Sequence, residues 1–154
     1  MTAAPTLALV IAVHQRPRIL ELIFQSLENQ TWDGFEIVLA DDGSDEPVAD
    51  VARRWEGRFR FPIRHVWQEN HGFRKTMAVN RAVAECTGEY LVFIDGDCIL
   101  HHRFLERHVA RRRPRQVLSG RRVMLDPELT ARLTLDDVRA RRIEQPSFWW
   151  RHAK

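Results

Sequence analysis

Apolar residues in this chain fall in short unbroken runs, and the polar segments between them carry a helical period. The first run, Leu7–Val13 (LALVIAV), does not alternate, as expected of a strand covered on both faces. Pro17 follows at a place suited to the first turn of a helix. Ile19, Leu20, Ile23, Phe24 and Leu27 then share one stripe of a helix ending near Asn29. Residues 35–40 (FEIVLA) form a second run that stops at Asp41-Asp42-Gly43-Ser44, and Asp45-Glu46-Pro47 opens another helix with acids and a proline in its first turn. Residues 62–68 read as a third strand. Val79, Val83 and Cys86 mark a helix from about Gly72 to Cys86, which Thr87-Gly88 ends. Residues 90–94 (YLVFI) are the clearest buried strand and run directly into Asp95-Gly96-Asp97.

Strand and helix alternate throughout this stretch, which predicts an α/β fold with a mostly parallel, Rossmann-like sheet and flanking helices. Its ligand site should lie outside the carboxyl ends of the strands. The loops of interest are then residues 14–16, 41–44, 68–75 and 95–98. Beyond Asp97 the pattern changes: residues 104–113 suggest a helix, 116–119 a short strand, and 127–133 and 135–142 two short helices. Thr134 and Asp137 resemble a capping box. Phe148, Trp149 and Trp150 should pack against something. The chain thus divides into an α/β core over residues 1–105 and a basic, mainly helical extension over residues 106–154.

At 154 residues and 44% hydrophobic, the chain suits one domain with a real core. No run approaches the ~20 apolar residues that span a bilayer. No Lys or Arg precedes the first apolar run, so it reads as a strand rather than a secretion signal, and a cytoplasmic location with reduced Cys86 and Cys98 is expected. Charge is divided unevenly: residues 1–102 carry 10 basic and 15 acidic side chains, and residues 103–154 carry 14 and 6. The basic block suits a solvated helix face, or contact with phosphates or an anionic membrane surface. A nucleic-acid-binding module is the non-enzyme alternative, resting on arginines such as Arg111–Arg113, Arg121 and Arg122, and is the less favoured one.

Two carboxylates separated by one glycine at the end of a buried strand repel each other unless protonated, hydrogen-bonded or bound to a cation. Mn²⁺ or Mg²⁺ would resolve this with Asp95 and Asp97 as ligands, leaving other positions for water and phosphate oxygens. Asp41 and Asp42 end a strand on the same predicted edge, and Arg74-Lys75 adds positive charge there. Acids for metal and ribose, with cations for phosphate, are what a nucleoside diphosphate needs. There is no GxGxxG after the first strand and no GxxxxGK[ST] in the chain, which removes dinucleotide and P-loop readings. A haloacid-dehalogenase-like phosphatase also carries Asp-x-Asp after a strand, but there it is the first strand. Cys98, His101, His102 and His108 lie close in sequence, yet their spacing fits no standard zinc pattern.

Residues 10–16 (VIAVHQR), 27–32 (LENQTW), 35–45 (FEIVLADDGSD), 70–80 (NHGFRKTMAVN) and 88–97 (GEYLVFIDGD) together resemble family 2 glycosyltransferases of the GT-A fold, in order and in spacing. The forms Gly72-Phe73-Arg74 and Asp97-Cys98 look like the galactosyltransferase and capsule-polymerase branch. The resemblance implies inverting, metal-dependent transfer from a nucleotide-sugar donor, with UDP-sugars favoured, to a saccharide or lipid-linked acceptor. It implies that Val13, His14 and Arg16, with Asp41 and Asp42, hold base and ribose. It also implies that Gly72, Arg74, Lys75 and Asn80 shape the donor site, that Asp95 meets ribose and metal, and that Asp97 binds the metal. The acceptor half and its catalytic base would follow roughly where this sequence stops, so no base is nominated. Sheet edges left exposed by a missing half could also drive self-association into a homo-oligomer.

Overall fold

The computed structural model describes residues 5–148. Four strands, β1 (Leu7–Val13), β2 (Phe35–Asp41), β3 (Ile63–Trp67) and β4 (Tyr90–Asp95), form one sheet in the order β3-β2-β1-β4, with every pairing parallel. The helices between them are α1 (Pro17–Glu28), α2 (Glu46–Trp55) and α3 (Lys75–Glu85). The parallel α/β architecture read from the sequence is therefore present, and the unbroken runs of β1 and β2 are its two central strands.

Alternate residues of β1 and β2 face opposite layers. Leu7, Leu9 and Ile11 with Ile37 and Leu39 pack under α1 and α2, where Phe24, Trp55 and Phe59 add an aromatic cluster. Val10, Val38 and Ala40 face α3, which meets them with Ala78 and Ala82, two side chains small enough to bring helix and sheet close together.

Helix α3 starts at Lys75, later than the sequence pattern suggests. Gly72 sits outside it with φ 85, and its N–H donates to Asn70 Oδ1 at 3.1 Å in a local turn.

The segment after β4 contains α4 (Phe104–Arg111), α5 (Pro127–Arg132) and α6 (Leu135–Arg139), then a short 3-10 turn at Arg142–Glu144. The strand expected over residues 116–119 does not form: residues 112–126 are irregular, and Val117, at 95% exposed, packs no apolar face that would hold a strand. α4 stops at Arg111, short of Pro114, which disfavours helical geometry in the residue before it. The last predicted helix breaks at Arg141, which has φ 54. The Thr134–Asp137 capping box is formed. The extension covers the outer face of α1 through Leu22, Leu133 and Val138, with Phe148 packed against them; Trp149 and Trp150 lie outside the described residues. Among the described residues no helix is long and apolar enough to cross a membrane.

Candidate functional site

Sheet order reverses at β1: β2 and β3 lie to one side of it and β4 to the other. An open parallel sheet forms a crevice at such a point, outside the carboxyl ends of the strands. Register brings the strand ends level, with Val13 beside Asp41, Ala12 beside Asp95 and Asp41 beside Trp67. The loops after β1 and β4 therefore meet over this crevice.

The first loop is held in an unusual backbone. Gln15 and Arg16 are consecutive non-glycine residues with φ 56 and φ 60, a conformation costing on the order of 1–3 kcal/mol each. It is maintained by contacts to the β2 loop: the Gln15 N–H donates to Ser44 Oγ at 2.7 Å, and the His14 ring nitrogen Nδ1 donates to the Asp42 carbonyl at 2.9 Å. Asp42 N–H in turn donates to the Val13 carbonyl. The result presents the exposed Arg16 side chain to Asp97, with Nη1 3.7 Å from Oδ2.

Asp41 and Asp42 are buried rather than open at the crevice mouth. Asp41 is fully buried, with its Oδ2 at 2.7 Å from His65 Nε2 and its Oδ1 accepting the Ser44 N–H at 2.8 Å. Burial pushes its carboxyl upward, but the hydrogen bonds from His65 and Ser44 outweigh this and hold it below the ordinary carboxylate value. Asp42, 4% exposed, accepts from Gln68 Nε2 at 2.7 Å and from the Arg74 N–H at 2.6 Å. These two acids thus organise the loops after β2 and β3, and each oxygen keeps capacity for one further donor. Two buried polar atoms beside them, Gln68 Oε1 and Arg74 Nε, have no hydrogen-bond partner among the described residues.

Asp95 and Asp97 are the accessible acids, with side chains 42% and 54% exposed. Lys75 Nζ bonds Asp95 Oδ1, and Arg122 Nη1 lies 3.3 Å from Asp95 Oδ2. The hydrogen bond from Lys75, reinforced by Arg122, holds the Asp95 carboxyl below its ordinary value. Ligand atoms of Asp95, Asp97 and Cys98 all fall within 4.8 Å of one another. The two carboxylates are hard oxygen donors, so this cluster fits Mn²⁺ or Mg²⁺, whereas burial pushes the Cys98 thiol up, away from the thiolate a metal ligand needs.

The structure thus brings together Val13, His14, Arg16, Asp41, Asp42, Arg74, Lys75, Asp95 and Asp97 around one crevice. It does not bring Asn80 to the acids: that residue is exposed on α3, about 140° around the helix from Lys75. Gly72 lies on the exposed turn before α3. Sequence reasoning missed His65, reached Gln68 only as the first residue of a loop of interest, and counted Arg122 only among the arginines of the basic extension. The position of Gln68 just beyond β3 was a usable signal, whereas Arg122 sits in an irregular segment with no periodicity to place it. The histidine and cysteine group is split: His101 and His102 lie against Glu144, with His102 Nδ1 2.5 Å from its Oε2, while His108 Nδ1 is 3.1 Å from the Tyr90 hydroxyl.

Comparison with known proteins bears on the family and the fold. The chain is 32% identical over 108 residues to a validoxylamine A glucosyltransferase of Streptomyces hygroscopicus subsp. jinggangensis, covering 69% of this chain and 25% of that protein. It is 33% identical over 94 residues to the putative glycosyltransferase EpsH of Bacillus subtilis, covering 60% of this chain and 26% of that one. It therefore spans about a quarter of the length of these relatives. Among solved structures, S. aureus TarS 1-349 in complex with UDP-GlcNAc superposes with a TM-score of 0.59 at 19% identity, covering 68% of this chain and 30% of that one. The Pyrobaculum calidifontis mannosyltransferase PcManGT in complex with GDP-Man and Mn²⁺ gives 0.52 at 24% identity, covering 62% and 28%. These likenesses establish the GT-A fold, and the family model described as glycosyl transferase family 2 matches residues 8–134, so the chain belongs to that family.

Proposed function

We propose that this chain forms the donor-binding part of a metal-dependent glycosyltransferase that uses a nucleoside diphosphate sugar, with a UDP-sugar favoured. The observation that carries the reading is the convergence of Asp95 and Asp97 with Arg16, Lys75 and Arg122 at the point where strand order reverses. Asp95 and Asp97 would hold Mn²⁺ or Mg²⁺. Such an ion, when bound, would offset negative charge on the departing diphosphate as the sugar–phosphate bond breaks.

The chain's own residues would do the rest of the binding. The loop 13–16 and the Asp41–Asp42 turn form the wall on the β2 side and would receive the base and ribose. Lys75 stands on the opposite side, at the start of α3, and would meet phosphate oxygens. The acceptor would be a saccharide or a lipid-linked sugar, and its hydroxyl would attack the anomeric carbon with inversion. The carboxylate base that would take that hydroxyl's proton is assigned to no residue of this chain, which spans about a quarter of the length of its relatives.

Calorimetric titration of UDP with and without Mn²⁺, repeated on Asp97→Ala, tests the reading. Binding that requires Mn²⁺ and is lost in the variant is the expected result. Equal binding without metal, or in Asp97→Ala, would overturn the metal-dependent site.

A further inference from the structure

Among the described residues, three cations face two carboxylates at the acid cluster: Arg16 against Asp97, and Lys75 and Arg122 against the two oxygens of Asp95. Arg122 differs from the others in origin. It comes from the irregular segment 112–126, 27 positions beyond Asp95, and no secondary structure fixes it. Its guanidinium lies 3.3 Å from Asp95 Oδ2, and Asp95 belongs with Asp97 and Cys98 to the group whose ligand atoms all fall within 4.8 Å of one another. Its side chain is 66% exposed, and an ion pair of that kind contributes little stability and is readily exchanged.

We propose that Arg122 is an exchangeable cation of the donor site: it occupies the acid cluster in the metal-free chain and turns to the donor's diphosphate when a divalent ion takes Asp95. This rests on the donor-site reading and adds a second diphosphate-binding arm to it. Charge balance gives the reason. A divalent ion seated on Asp95 and Asp97 matches their two negative charges, which leaves Arg16, Lys75 and Arg122 in excess around a small volume. A diphosphate supplies the compensating negative charge, and a guanidinium is suited to it because its planar fork donates two parallel hydrogen bonds to phosphate oxygens. Arg122 would then serve twice, first by keeping the paired acids from repelling each other, and then by closing residues 112–126 toward the bound donor.

The inference predicts effects of opposite sign from one substitution. In Arg122→Gln a competitor of the metal is removed, so Mn²⁺ binding without nucleotide, read by electron paramagnetic resonance, tightens severalfold. With Mn²⁺ saturating, UDP binding read by calorimetry weakens about tenfold, the loss expected for one charge-assisted hydrogen bond. Any weak binding of uridine, which lacks phosphate, is unchanged. Arg122→Lys falls between Arg122→Gln and the wild type, and Arg121→Gln, at the exposed neighbouring position, behaves as wild type. Metal and UDP affinities that both weaken, or both stay at wild-type values, would overturn the assignment. A wild-type chain that binds no UDP in Mn²⁺ would overturn the donor-site reading and the nucleotide half of this inference with it. Wild-type binding matched by Arg122→Gln would overturn the role of Arg122 alone.

Discussion

A β carbon at Gly96 would lie 2.7 Å from the carbonyl oxygen of Ala12 and 3.3 Å from the Val13 backbone, atoms of the neighbouring central strand that cannot give way. Glycine between the two acids therefore lets the turn after β4 press against β1 and keeps Asp95 and Asp97 over the crevice. Gly96→Ala should cost about 1–3 kcal/mol, as overpacking does, and should weaken Mn²⁺-dependent UDP binding as well; urea unfolding and calorimetry measure the two. Asp41 gives a prediction in pH. Burial raises its carboxyl pKa, the His65 and Ser44 hydrogen bonds more than offset this, and the folded value ends below the ordinary 3.8. A depressed folded pKa means that ionised Asp41 stabilises the fold above 3.8, and that this contribution is lost as pH falls below that value. The urea midpoint of the wild type should therefore drop more steeply as pH falls below about 4 than that of Asp41→Asn, which cannot ionise there.

Helix α3 and strand β4 are joined through a single buried side chain of β2. Glu36, 2% exposed, accepts the Thr87 N–H at 2.5 Å, the Thr87 hydroxyl at 3.0 Å and the Gly88 N–H at 2.7 Å, and its other oxygen lies 3.3 Å from Arg64 Nε. Glu36→Ala strands these donors and should cost on the order of 3 kcal/mol, measurable as a lower urea midpoint with the far-UV spectrum retained. Nothing in FEIVLA announces this role, because a lone acid in an apolar run carries no periodic signal and its partners lie some fifty positions away. The four strands were legible because each is an unbroken apolar run bounded by turn residues. The acid cluster was legible because strand ends on a parallel sheet share one edge. The start of α3 was placed three residues early, at Gly72, because Val79, Val83 and Cys86 fix the helix period but not where its first turn begins; Phe73 is 90% exposed and lies before the helix. Residues 112–126 were illegible for the converse reason: Val117, Val123 and Met124 suggest burial, but all three are exposed. Arg122 becomes visible only through its distance to Asp95.

The basic extension and the α/β core share α1, which is covered on two sides. Leu20, Ile23, Phe24 and Leu27 face the sheet, while Leu22 turns outward to Leu133 and Val138. Polar contacts reinforce the second side: Arg18 donates to the carbonyls of Ala131 at 2.8 Å and Leu133 at 2.6 Å, and Asn29 Nδ2 donates to the Val138 carbonyl at 2.7 Å. The segment after Asp97 is tied to the same helix, since the Leu100 N–H donates to Ser26 Oγ and the Thr31 N–H to the His102 carbonyl. A site residue such as Arg122 is thus carried by a segment anchored at both ends to α1, whose N-terminus bears Arg16. Loosening that anchorage should register in both stability and ligand binding. Leu133→Ala empties a side-chain site that is 2% exposed and should cost about 2–4 kcal/mol. If core and extension unfold as one body, tryptophan fluorescence and far-UV circular dichroism will fall together in urea, at a midpoint lowered equally for both probes. Two separated transitions would mean that the extension opens by itself, and Mn²⁺-dependent UDP binding should then fade with the earlier of the two.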